Sequence, residues 1–205
     1  MRSPVVLLAL LACAMLALPA AAQTRAENLE ACKGGEPEKA IAACTALIAS
    51  GREKSSSLFE AHFNRGLAYA ETRRHRRAIE DYDVALKLRR NDAAVLQSRC
   101  WSRSVTGRLS QAVEDCNTSL AMRPNDPDTL EIRGFTLRKM RRFEESIADY
   151  DAALALRPEA PHSLFGRGIT RRDMGREDSA RADIAAAKAL DPDVAARYVA
   201  VGIHR

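Results

Sequence analysis

The chain has 205 residues, 46% of them hydrophobic, with 32 lysine and arginine side chains against 27 aspartate and glutamate, a formal net charge of +5. That length suits one domain with a continuous core. The modest charge and the lack of aromatics among the basic runs count against a nucleic-acid surface, and no Cys-x-x-Cys pair or His/Cys cluster offers a metal site.

Met1 to Ala22 reads as a secretory signal peptide. Arg2 gives a short basic start, Val5 to Leu18 an apolar run, and Ala20-Ala21-Ala22 a small-residue cleavage site before Gln23. The run is short for a membrane span, and no later stretch approaches that length. A lipid anchor on Cys13 is the alternative, although the residues after Cys13 stay apolar. The expected location is therefore periplasmic or secreted.

Without the leader, four cysteines remain: Cys32, Cys44, Cys100 and Cys116. Four cysteines in an exported chain allow three pairings. Cys32 and Cys44 flank the turn Lys33-Gly34-Gly35-Glu36-Pro37, and Cys100 and Cys116 lie at nearly equal distance from Gly107. This favours two local bridges; four buried thiols are the alternative.

Arg25 to Ser50 predicts an irregular helical hairpin, with Gly51 to Ser57 as a polar linker, so residues 23–58 form an N-terminal cap. From Phe59 to Val194 one pattern recurs four times at a spacing of 34 residues, giving units 59–92, 93–126, 127–160 and 161–194. The eighth slot holds Gly66, Cys100, Gly134 and Gly168; the twentieth holds Ala78, Ala112, Ser146 and Ala180; the twenty-seventh holds Ala85, Ser119, Ala153 and Ala187. Small residues at these slots let two antiparallel helices approach closely. Pro124, Pro158 and Pro192 stop second helices, while Pro127 and Pro161 suit the first turn of the next helix. Gly107 and Gly175 supply left-handed turns within two units; Arg73 and Arg141 stand at the same slot in the others, predicting strain there. Arg181 and Lys188 replace apolar residues on the last unit's outer face, so no full unit follows. Asp193 to Ile203, with residues 195–205 as its end, predicts a capping helix packed through Tyr198 and Val199.

With segments such as "FNRGLAYAETRRHRRAIEDYDVAL" and "IRGFTLRKMRRFEESIADYDAAL", the array resembles the tetratricopeptide-repeat family, and small exported bacterial members of it in particular. Two departures are Arg65, Arg99, Arg133 and Arg167 at the usually apolar seventh slot, and His62 followed by leucines at the usually aromatic fourth. The resemblance implies an all-α, right-handed superhelix, an α-solenoid whose first helices line a concave groove. Carried over slot by slot, that groove receives Phe63, Leu67, Gln97, Trp101, Phe135, Arg138, Phe165, Ile169 and Arg172, with Glu131 and Lys139 beside them. An apolar strip with a basic rim fits a protein or peptide segment carrying large apolar and some acidic side chains. The carboxylate clamp of chaperone-binding relatives is absent, since Ala94 and Ser98 stand where it needs cations.

The same arginines recur against Asp81, Asp115, Asp149 and Asp183, which predicts a solvated ion-pair ladder that sets register. The Arg-rich turns Arg73–Arg77 and Arg138–Arg142 offer a basic convex edge, and with it an alternative role as a subunit of an envelope complex. For catalysis nothing assembles. His62, His75, His162 and His204 lie apart, and no phosphate loop or nucleophile motif occurs. The expectation is a non-catalytic binding scaffold without a cofactor; an enzyme accessory or hydrolase using the groove is the remaining alternative.

Overall fold

A computed structural model describes residues 24–200. The expected signal peptide, Cys13, His204 and the final residues of the expected capping helix lie outside the described residues. Among those described there are eleven helices and no strand. They are α1 (Arg25–Cys32), α2 (Pro37–Ala49), α3 (Ser55–Glu71), α4 (His75–Leu88), α5 (Ala93–Val105), α6 (Leu109–Met122), α7 (Pro127–Lys139), α8 (Phe143–Leu156), α9 (Pro161–Asp173), α10 (Glu177–Leu190) and α11 (Val194–Ala200). Consecutive helices pack in pairs, and α3, α5, α7 and α9 also touch in succession, so the first helices of the pairs form one face of an all-α solenoid.

Local chemistry fixes the helix ends. Thr24 and Glu27 close a capping box on α1. Asp92 and Asp126 cap α5 and α7 by accepting from the free amides of the first turn. Pro37, Pro127 and Pro161 begin α2, α7 and α9. Between paired helices the chain passes through the left-handed region at Gly107 (φ 82°) and Gly175 (φ 75°). Arg73 and Arg141 adopt it too, each at φ 61°, where a side chain costs about 1 kcal/mol.

One boundary differs from expectation. Helix α3 begins at Ser55, so Ser55-Ser56-Ser57 is its first turn and not part of a linker. The carboxylate of Glu53 stands just before that turn, where the helix dipole favours negative charge. It accepts from Ser57 and is gripped by Arg25 through Nε (2.7 Å) and Nη2 (2.8 Å), which ties α3 to α1.

The close approaches follow from the small residues. A Cβ added at Gly66 would lie 2.5 Å from Tyr82 Cε1, and one at Gly168 would lie 2.8 Å from Ile184 Cγ1. Tyr82 and Tyr150 fill the space left open and are fully buried. Both local disulfides form, Cys32–Cys44 between α1 and α2 and Cys100–Cys116 between α5 and α6.

The ion-pair ladder is present, but it is not solvated. Arg65, Arg99, Arg133 and Arg167 each donate from Nε and Nη2 to the two oxygens of Asp81, Asp115, Asp149 and Asp183, all between 2.6 and 2.9 Å. The aspartates are buried because each lies between the two helices of its hairpin. The third nitrogen, Nη1, reaches the preceding pair: Thr45, Asp83, Asn117 and Asp151. Each guanidinium thus links two neighbouring hairpins. Burial acts to raise the Asp81 carboxyl, but Arg65 and His62 outweigh it and hold its pKa below the ordinary range.

At the C-terminal end, Arg181 and Lys188 are exposed. Helix α11 packs through Val194 and Tyr198, one turn apart on a single face. Val199 is turned to solvent at 47% exposure, so it is not the expected packing partner. No helix among the described residues is long and apolar enough to cross a membrane.

Candidate peptide-binding face

The face formed by α3, α5, α7 and α9 carries the residues expected in a groove, but they divide into three groups. At its N-terminal end Leu67 is exposed, and Phe63 is half-buried with its ring 6.2 Å from Phe59 and 6.1 Å from Tyr82. In the middle, Gln97 accepts from Arg123, and Trp101 is half-buried with its ring 5.3 Å from that of Phe135.

Toward the C-terminal end, Phe135, Phe165 and Ile169 are buried and do not form an open strip. The physical reason is Tyr198. Helix α11 turns back so that the Tyr198 ring sits 4.9 Å from Phe165 and 6.0 Å from Phe135, and its hydroxyl donates to the His162 carbonyl at 2.8 Å. These contacts join the cap to the last hydrophobic cluster.

The expected basic rim is also altered. Arg138 pairs with Asp173 at 2.7 Å, and Lys139 donates to the Ser104 carbonyl at 2.6 Å. Burial lowers the Lys139 pKa. Arg172 alone of the three expected rim cations is exposed. Of the Arg-rich turns, Arg74 pairs with Glu38 and, like Arg77, lies over the Tyr69 ring, while Arg142 pairs with Glu145.

Between the first helices and α11 a cavity of about 290 Å³ remains open, lined by Trp101, Asp128, Glu131, Ile132, Phe135, His162, Arg197 and Tyr198. It shares Asp128, Glu131 and His162 with a trough of about 680 Å³ that continues along the segment from Leu156 to Pro161. Glu131 accepts from the Ser163 hydroxyl at 2.6 Å. Burial pushes its pKa above the usual carboxylate range, against the opposing pull of that hydrogen bond and of His162. Asp128 is paired with Arg157, and Arg197 with Asp191 at 3.3 Å. Asp128 and His162 both stand at the second slot of their units, one of the positions that face inward in such arrays, so slot position was the signal that marks them. Tyr198 lies outside the repeat and carries no such signal.

Two family models, both of the tetratricopeptide repeat, match residues 133–195 and 59–92. The chain belongs to the tetratricopeptide-repeat family. Solved structures agree on the fold of this tetratricopeptide-repeat protein. MamA from Desulfovibrio magneticus RS-1 superposes with a TM-score of 0.69 at 18% identity, covering 82% of this chain and 93% of that one. MamA AMB-1 gives 0.68 at 20% identity over 82% and 97%, and MamA MSR-1 gives 0.67 at 19% over 82% and 94%. No curated protein matches the sequence. Repeats of this family build protein-interaction scaffolds, and the architecture here is of that kind.

Proposed function

We propose that this tetratricopeptide-repeat protein is a non-catalytic scaffold, exported from the cytoplasm, that holds a segment of a partner protein against its inner face. The observation that carries this is the cavity walled in part by Trp101, Phe135 and Tyr198, a set of aromatic side chains between the middle of that face and its C-terminal cap. Aromatic side chains in such places contribute most of the energy of a protein contact, and a preformed solenoid loses little freedom when a segment docks. The two disulfides fit an oxidising compartment, in line with the leader-like N-terminal sequence.

The test is affinity capture from the extracytoplasmic fraction, with wild type compared against Trp101→Ala and Leu67→Ala. Recovery of the partner should fall at least about tenfold, the equivalent of one lost aromatic anchor. Reversing the charge of Arg73 and Arg76 on the outer edge should leave it unchanged. The opposite pattern would move the contact to the convex edge and exclude the inner face.

A further inference from the structure

Resting on the inner-face reading above, we infer that the cavity beside α11 is a seat for a cationic side chain, an arginine or lysine on a basic segment of the partner. Its walls include Trp101, Phe135 and Tyr198, and aromatic rings attract a positive charge, as the Lys139 ammonium 5.5 Å from the Phe135 ring centre already illustrates. Its volume, about 290 Å³, is at the small end of ligand sites and suits one long side chain. The adjoining trough of about 680 Å³ leaves room for the main chain on either side of it.

Charge decides the sign. Of the cations nearby, Arg157 is held by Asp128, Arg197 by Asp191 and Arg138 by Asp173. Glu131, by contrast, has the Ser163 hydroxyl and no ion pair among the described residues. The uncompensated charge of the cavity is thus negative, in a chain whose formal net charge is +5. Burial disfavours the Glu131 carboxylate, and the Ser163 hydrogen bond with the pull of His162 and Arg157 does not offset it. A guanidinium or ammonium entering between the rings would supply the missing counter-charge. This reverses the expectation of an acidic partner, because two of the three cations on which that expectation rested, Arg138 and Lys139, are already engaged within the fold, leaving Arg172 exposed.

Trp101 is the only tryptophan and lines the cavity, so its fluorescence reports on this site. The experiment titrates the folded protein with three peptides, acetyl-Ala-Phe-X-Phe-Ala-amide with X as arginine, the neutral isostere citrulline, or glutamate. Binding is read by Trp101 emission and by equilibrium dialysis. The arginine peptide should bind at least tenfold more tightly than the citrulline peptide, and the glutamate peptide more weakly than both. In Glu131→Gln the arginine preference should shrink to about threefold or less, with far-UV dichroism unchanged. Equal binding of arginine and citrulline peptides by the wild type overturns the cationic seat and leaves the inner-face reading intact; that comparison needs no variant. Retention of the full preference by Glu131→Gln overturns it as well. No response to any of the three peptides overturns both.

Discussion

Replacing Asp149 by alanine tests whether the ladder is a buried framework or a surface ornament. Asp149 is 6% exposed and accepts Nε of Arg133 at 2.8 Å and Nη2 at 2.6 Å. Its removal leaves the guanidinium with the Asn117 side-chain amide oxygen Oδ1 at 2.7 Å and two donors without partners. Removing one member of a fully buried pair costs about 3–5 kcal/mol. The Arg133 side chain keeps 25% exposure, so some of that is recovered by water, and a loss of about 2–3 kcal/mol is expected. For a chain of this size that corresponds to a fall in Tm of about 5–10 °C, followed by circular dichroism at 222 nm. The double change Arg133→Met with Asp149→Leu should recover most of it, since an apolar pair of similar volume satisfies the same space. A loss below about 1 kcal/mol from Asp149→Ala, the range of exposed pairs, would refute the buried-framework reasoning.

Three further outcomes are expected. Arg73→Gly should stabilise by about 0.5–1 kcal/mol, because glycine removes the left-handed penalty at φ 61° at some cost in unfolded-state entropy; a calorimetric Tm that stays level or falls would contradict it. Replacing Cys100 and Cys116 together by serine should cost about 3 kcal/mol, given the 16-residue separation, and wild type should lose at least that much on adding reductant, which also opens Cys32–Cys44; indifference to reductant would be inconsistent with the bridges. Glu131→Gln should raise Tm near neutral pH and do little in acid. The wild-type carboxyl has its pKa raised above 4.5, so its stabilising share is full below that value and is lost as pH rises through the folded value. Ser163 and His162 on α9, Asp128 on α7, Arg157, Tyr150 and Tyr198 are the groups acting around it. A Tm difference independent of pH, measured by calorimetry, would remove the carboxyl as its cause.

Much of the fold was legible because the period writes the same contact four times. The glycines and alanines at the close approaches, the strained turns at Arg73 and Arg141, and the sixteen-residue spacing of each Arg–Asp pair all repeat, so chance is averaged out. What the period could not convey were contacts made once. The ladder's spacing was legible, but its burial depends on how deeply the two helices of a hairpin mesh, which no slot records. Tyr198 lies outside the repeat, and its position over Phe135 and Phe165 depends on how α11 turns after α10. The first turn of α3 was not legible because three serines resemble a linker, while Glu53, which accepts from Ser57 and is held by the distant Arg25, favours the helix there. For the inner face, the slots located the residues but not their charge state, since Arg138 and Lys139 are engaged by groups from other helices.

Each disulfide closes a single hairpin, one between α1 and α2 and one between α5 and α6, and neither passes from one hairpin to the next. The covalent cross-links therefore stiffen individual rungs while leaving the joints between rungs to hydrogen bonds, ion pairs and packing. Oxidation and reduction should alter how firmly those two rungs hold together and leave the pitch of the coil, set at the joints, largely as it was.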